Sequence, residues 1–547
     1  MKRIALLALL GALLTPTLPV RAAPAAPPAA ARAPEMYEYV AVDGDTLTSI
    51  SARFLDKNAG WQQLLKYNKF ANPDHINPGE RIRIPVELMQ REPAGAATVG
   101  ARGDAQVLRG GAATPLAPGA ALAQGDEVRT GKDGYVTIRL ADGSVLRLPP
   151  ESQIRFDSVE KIRDTAAVRS VFRLVAGRVE SLVARFRGSG NRFEVTTEQA
   201  TTGVRGTDFR VAVEAGATAS EVLDGTVAFE GAGAASGKGA RLEAGFGSKA
   251  SGDGQLLPPV KLLDAPQAPP LPLQERLVVR FEFPALPGAV KYRAQVGRDR
   301  DFYDVLAETL VTTPNLRFAG LDDGPYFLRV RGIDANGLEG RDTVMAFTLK
   351  ARPEPPLISL PADKGKVRGT PVDFAWANVG SNAKYRVQVA RDAAFTQLVF
   401  EPADTGETKL ASPATLALGE YYWRIRTLEG ADTGPWSDVR SFRLLAPPPA
   451  PEPPSFDGKR IKFSWTGEPG QTFIFQVARD SKFATLVFEE KLTEPALDKP
   501  QPRSGTYYMR YRAIDADGFE GPFTAPQRFA IDPPKVSGAS NAFSADE

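Results

Sequence analysis

The sequence predicts a mostly β, multidomain chain, and three observations carry that prediction. Its 547 residues are too many for one hydrophobic core. Its 46 prolines and 50 glycines supply turns and spacers, which favours β-modules over helix bundles. Apolar and polar residues alternate with period two over long stretches, as in Val136, Ile138 and Leu140 against Thr137 and Arg139. The hydrophobic fraction of 43% is that of a globular chain, and the formal net charge is +2. Charge balance therefore gives no argument for nucleic acid or a membrane surface.

The N-terminus reads as a targeting segment. Lys2 and Arg3 precede an apolar run from Ile4 to about Leu18, and small residues follow near Val20-Arg21-Ala22. Residues 1–22 are expected to be a cleavable signal peptide. The run is short for a membrane span, and no later stretch approaches the ~20 apolar residues that a spanning helix needs. The mature chain is expected to be exported, soluble and without a transmembrane segment. There is no cysteine and a single histidine, His75. Disulfides, thiolate nucleophiles, thiolate metal sites and histidine-rich zinc centres are thereby excluded. We expect no enzyme, no metal and no cofactor; carboxylate-dependent glycoside hydrolysis is the enzymatic class left open.

Proline-rich stretches at 24–34, 258–274, 352–361 and 446–454 favour extended spacers that cannot join a packed core. An Ala/Pro linker (23–35) leads into five candidate domains: 36–88, 99–255, 275–350, 358–445 and 455–532. Residues 258–274 form a second linker, and 533–547 a disordered tail.

In 36–88 an alternating strand, Tyr37–Val42, comes first. Leu47, Ile50, Ser51 and Phe54 then fall at i, i+3, i+4, i+7, one face of a helix. Asp45 or Thr46 is placed to cap its N-terminus. A second helix from about Ala59 turns Trp61, Leu64 and Leu65 inward, and Pro78-Gly79 leads into a strand at Arg81–Ile84. The acid pair in "DGDT" lacks the further oxygen ligands of a calcium loop, and its place at a strand end and a helix cap argues against a catalytic pair. "YVAVDGDTLTSIS", "WQQLLKYN" and "NPDHINPGERIRIP" resemble the three signature segments of the LysM family. That resemblance implies a βααβ fold that binds chains of N-acetylglucosamine, in bacteria usually peptidoglycan. It places one lip of the binding groove at Gly44, Asp45, Thr46 and Leu47, and the other at Asn72, Pro73, Asp74, His75 and Ile76. Backbone amides and small polar groups would meet the N-acetyl groups, with Leu47 and Ile76 over methyls and ring faces. His75 on its own reads first as a plain surface-loop residue, with a ligand or base as the alternative.

Residues 99–255 read as short strands joined by glycine turns. "GDEVRTGKDGYVTIRLADGS" and "ATTGVRGTDFRV" resemble the FecR domain family, whose best-known members relay a signal in the periplasm. The resemblance implies a periplasmic β-module that binds a protein or a glycan. Arg205 and Asp208 in "GVRGTDF" are a possible partner contact; alternatively they satisfy backbone groups at a bend set by Gly203 and Gly206.

The last three domains are copies of one another. "YRAQVGRDRDF", "YRVQVARDAAF" and "FIFQVARDSKF" align, with Gln295, Gln388 and Gln476 spaced 93 and 88 residues apart. Each has an early aromatic (Phe283, Trp376, Trp465) and a late tyrosine (Tyr326, Tyr421, Tyr507). They resemble fibronectin type III domains, which implies immunoglobulin-like β-sandwiches. The pairs Arg329/Arg331, Arg424/Arg426 and Arg510/Arg512 share a sheet face. They read either as an ordinary solvated face with acidic neighbours or as a basic stripe for an anionic polymer.

The function expected from these parts is non-enzymatic binding in the cell envelope. The LysM-like domain would hold peptidoglycan, and the remaining modules would face a second partner, such as an envelope protein. The alternatives are periplasmic signalling through the FecR-like domain and a cryptic peptidoglycan glycosidase.

Overall fold

The structure is a computed structural model, and it describes residues 34–533 apart from 186–189, 205, 234–238 and 268. The expected signal peptide, nearly all of the Ala/Pro linker and nearly all of the expected tail lie outside the described residues. Among the described residues the fold is mostly β, with 50% in strands and 4% in helices. Two compact units form: one from residues up to 269 with 282–316 and 327–345, the other from 270–281, 317–326 and 346 onward. Among the described residues no helix is long and apolar enough to cross a membrane.

The first unit begins with a two-stranded antiparallel sheet. Strand β1 (Met36–Val40) pairs with β2 (Arg81–Pro85), Met36 opposite Pro85 and Val40 opposite Arg81. Between them, α1 (Leu47–Phe54) buries Leu47, Ile50, Ser51 and Phe54, the face that its spacing predicts. Thr46 is the cap: its hydroxyl accepts the Ser49 N–H at 3.0 Å, and the Ser49 hydroxyl accepts the Thr46 N–H at 2.9 Å. The expected second helix is instead a 3-10 helix, Trp61–Lys66, which buries Leu64 alone and leaves Leu65 38% exposed. At three residues per turn, adjacent positions diverge too far to share an inward face.

This small module does not end at residue 88. Ile162 and Ala167 complete its core beside Val86 and Met89. The Gln90 side chain donates to the carbonyls of Ala52 and Leu55, at 3.1 and 2.6 Å. Strand β3 (Arg91–Pro93) then pairs with β4 (Gln153–Ile162), carrying the chain directly into the next module.

That module is all β, its strands from Arg91 to Lys261 joined in one closed hydrogen-bonded array. The strands are not uniformly short, as expected, because β4 has 10 residues and β5 (Val168–Leu182) has 15. Strand β5 serves several neighbours by bending at Gly177 (φ 73°), where a Cβ would lie 2.3 Å from the Glu151 carbonyl oxygen. It runs parallel to β6 (Arg192–Thr196). Strands β7 (Ala200–Val204), β8 (Asp208–Glu214), β9 (Ala217–Asp224), β10 (Thr226–Gly231) and β11 (Gly239–Glu243) follow, all in antiparallel pairings. A continuous core of Val, Leu, Ile and Phe fills the interior.

The three repeats share a local design. In each, an aspartate carboxylate (Asp299, Asp392, Asp480) accepts backbone N–H groups from the following loop. It thereby holds Phe302, Phe395 and Phe483 at φ 56°, 60° and 59°, a backbone region uncommon for a bulky residue. The late tyrosine donates its hydroxyl to a carbonyl four residues upstream, from Tyr326 to Asp322, Tyr421 to Ala417 and Tyr507 to Arg503. This is the tyrosine corner of immunoglobulin-like sandwiches. In the second unit, the two complete repeats each pair a three-stranded sheet with a larger one of six or four strands, around cores built on Trp376 and Trp423 or on Trp465 and Phe475.

Candidate functional site

The two expected lips lie on the loops at one end of the β1–β2 sheet. Beyond Val40, the Ala41 N–H donates to the Glu80 carbonyl (2.9 Å) and the Gly79 N–H to the Ala41 carbonyl (2.8 Å). These bonds hold the loop after β1 against the loop before β2. Gly44, at φ 84°, turns the first loop. The Asp45 carboxylate accepts the Tyr39 hydroxyl at 2.7 Å and the Val42 N–H at 2.8 Å. It therefore braces the turn, while Thr46 caps the helix. In the second loop the Asn72 side-chain oxygen accepts the Asp74 N–H at 3.0 Å, and the His75 N–H donates to the Asn72 carbonyl at 3.2 Å.

Gly44, Thr46, Asn72, Pro73, Asp74 and His75 are exposed, and Asp45 is half-buried. Leu47 and Ile76 differ from the expectation that they cover sugar methyls and ring faces. Both are buried, at 3% and 5% exposure, in the module's core. A module of this size needs every large apolar side chain to close its interior. They anchor the loops from beneath, and the polar groups and backbone amides of the two loops form the accessible surface.

Arg205 lies outside the described residues. Asp208 opens β8, opposite Leu182 and Asp224. Burial raises its carboxyl above the usual range, against the opposing pull of Arg210.

A second constellation was not legible as a site. Arg329 and Arg331 are neither a solvated face nor an exposed stripe; they are 7% and 1% exposed. Strands β12 (Lys291–Gly297), β13 (Val305–Val311) and β14 (Gly324–Ile333) of the first repeat set Arg293, Glu308, Arg329 and Arg331 against the preceding module. Arg331 bridges Glu180 and Glu339, both at 2.8 Å. Arg178 bridges Glu308 and Glu339, both at 2.9 Å, and Arg210 reaches Asp342 at 2.8 Å. Glu221 accepts the Glu339 N–H at 3.2 Å. Burial would raise the Glu180 and Glu339 carboxyls, but the surrounding guanidiniums outweigh it and hold both below the usual range. Glu221 is the exception: burial, then repulsion from Glu339, pushes it up to about 8.

In the other two repeats the corresponding arginines meet aromatic faces. Arg424 lies 4.0 Å from the Phe395 centroid and 4.4 Å from that of Trp436, which Arg426 also covers at 4.4 Å. Arg510 lies between Phe483 and Phe523, at 3.9 and 4.1 Å. Asp342 stands in the sequence where the later copies carry Trp436 and Phe523. That replacement is the signal that could have separated the first copy from its siblings.

Two family models match the chain. Residues 39–85 match the LysM domain, and residues 126–228 match the FecR protein family. The lips and the module's core thus lie within or beside the LysM match, and Glu180, Arg210 and Glu221 within the FecR match. No curated protein matches the chain. Among solved structures, two of a putative anti-sigma factor from Parabacteroides distasonis ATCC 8503 are similar at 20% and 21% identity. Each match covers 25% of this chain and 59% of that one, with a TM-score of 0.20. The FN1–FN3 domains of chicken CNTN1 are similar at 13% identity, over 47% of this chain and 95% of that one, with a TM-score of 0.22.

Proposed function

We propose that the protein is a non-enzymatic binding protein of the cell envelope, exported to the periplasm and held to peptidoglycan by the loops Gly44–Thr46 and Asn72–His75. The observation that carries this reading is the LysM match over 39–85, with the exposed polar residues of its two loops at one end of the small sheet. Neutral N-acetylated sugars suit such a surface, because its amides and small polar side chains offer hydrogen bonds. The FecR-matching module and the repeats present surfaces to a second partner. The FecR match also supports a second reading, in which that module receives a protein partner's signal and the LysM module localises it.

The test is co-sedimentation of the full mature chain with purified peptidoglycan sacculi. Asp74→Ala/His75→Ala alters two exposed side chains and leaves the core intact. Binding by the parent chain and at least a tenfold weaker affinity in the variant is the expected result. Equal binding by both would remove the loops from the account.

A further inference from the structure

A groove of about 970 Å³ opens at the other end of the LysM module from the sugar loops. Pro34, Glu35, Val86 and Glu87 form one end of it, and its floor is the outer face of the sheet made by β5, β6, β7, β10 and β11. The register is explicit. Glu194 lies opposite Gly203, Gly203 opposite Ala228, and Ala228 opposite Arg241. The two small residues make a low floor between charged walls. Neither backbone nor packing requires glycine there. Gly203 is not among the positive-φ residues, and a Cβ on it would find no heavy atom nearer than 3.9 Å.

The charged wall holds an unmatched cation. Arg169 on β5 stands directly opposite Arg192 on β6, a like-charge pairing that costs stability. Arg192 is taken by Glu194, at 2.6 and 2.7 Å. Arg91 is taken by Glu160 at 3.5 Å. Glu35 accepts the Gly190 N–H at 2.8 Å. The half-buried Arg169 side chain makes no hydrogen bond or ion pair with any described residue. Burial, Arg91 and Arg192 act against its charge, while Glu35 and Glu160 favour it without bonding to it. An anion arriving in the groove would give this guanidinium a direct partner.

We propose that this groove binds the peptide branches of the wall polymer, with Arg169 receiving a peptide carboxylate. Walls of both signs suit a chain bearing carboxylates and amines, and the low Gly203–Ala228 floor leaves room for it between them. Guanidinium–carboxylate bonds are the strong, charge-assisted kind. This assignment rests on the peptidoglycan reading and adds a second contact to it, on a different chemical part of the same polymer. One weak sugar site and one weak peptide site on a single module pair would bind the polymer by avidity.

The test uses the full mature chain and two separate probes, a peptide-free N-acetylglucosamine oligomer and the free wall tetrapeptide, followed by fluorescence anisotropy. The tetrapeptide should bind, and amidation of its carboxylates should weaken it at least tenfold. Arg169→Gln and Gly203→Gln should each weaken it about tenfold, the scale of one charge-assisted bond. Asp74→Ala/His75→Ala should leave it unchanged. Arg169→Gln should also melt no lower than the parent, because it relieves repulsion. Absence of tetrapeptide binding, or parent-like binding by both groove variants, would overturn the groove while leaving the sugar loops standing. Equal binding of an unrelated acidic peptide would overturn the wall-peptide assignment. Failure of the sugar oligomer with retained tetrapeptide binding would sink the loops and not the groove.

Discussion

At the residue scale, Asp45 and Thr46 take separate tasks. Thr46 and Ser49 close a reciprocal cap, and Asp45 ties Tyr39 to the turn. Thr46→Ala should cost about 1 kcal/mol of unfolding free energy, the usual worth of such a cap, measured by denaturant titration. Asp45→Ala should cost a similar amount or more, because it leaves both the Tyr39 hydroxyl and the Val42 N–H without their acceptor. The α1 face was readable from the sequence because cap and periodicity are local signals. The burial of Leu47 and Ile76 was not separable from a ligand-facing role, since both roles call for an apolar residue in a loop beside the site. Leu65 misled for a related reason: a six-residue run does not reveal whether it winds with three or 3.6 residues per turn.

At the scale of elements, one repeated motif meets two fates. In all three copies a glutamine side-chain oxygen receives the first arginine of the pair, from Arg329 to Gln295, Arg424 to Gln388 and Arg510 to Gln476. In all three that arginine also covers the loop phenylalanine, Phe302, Phe395 or Phe483; the later copies add Trp436 or Phe523, whereas the first copy answers with carboxylates of its own and of the module before it. The decisive contact, Arg331 with Glu180, spans 151 residues, beyond the reach of any pattern read along the chain. Arg331→Met should destabilise the first unit by about 3–5 kcal/mol, because it takes a buried guanidinium from Glu180, Glu339 and Asp342 and leaves Arg329, Arg178, Arg293 and Arg210 to balance them. Loss of under 1 kcal/mol in a urea titration would contradict that. Glu221 sets the pH dependence. Its folded value near 8 lies above the ordinary 4.5, so the folded state holds a proton that the unfolded state has released. Stability from this group is full below about pH 4.5 and falls as pH rises towards 8. Glu180 and Glu339, held low, act in the opposite sense and lose their contribution as pH falls through the acid range. Glu221→Gln should flatten the decline between pH 5 and 8, read as melting temperature against pH, and leave the acid limb in place.

At the scale of the whole molecule, the modules of the first unit are not beads on a string. The sequence suggested a break near residues 88–99, but Ile162 and Ala167 sit in the LysM core and β3 joins the FecR-matching sheet. Proline-rich linkers are visible in a sequence; a short connection that forms a strand is not. Ile162→Ala should therefore loosen α1 from a position more than a hundred residues away. The expected cost is about 2–4 kcal/mol, with faster amide exchange at Ile50 and Phe54. Unchanged exchange there would mean that the two modules fold independently. The consequence for the proposed function is that the loops Gly44–Thr46 and Asn72–His75 sit on a core shared with the next module, with the Arg169 groove at its other end.

The central claim is that the loops Gly44–Thr46 and Asn72–His75 bind N-acetylglucosamine chains. Calorimetric titration of the full mature chain with an N-acetylglucosamine pentamer tests it most directly. The account predicts saturable one-to-one binding that Asp74→Ala/His75→Ala weakens at least tenfold without lowering the melting temperature. No heat of binding from the parent chain, or identical affinity in the two proteins, would contradict it.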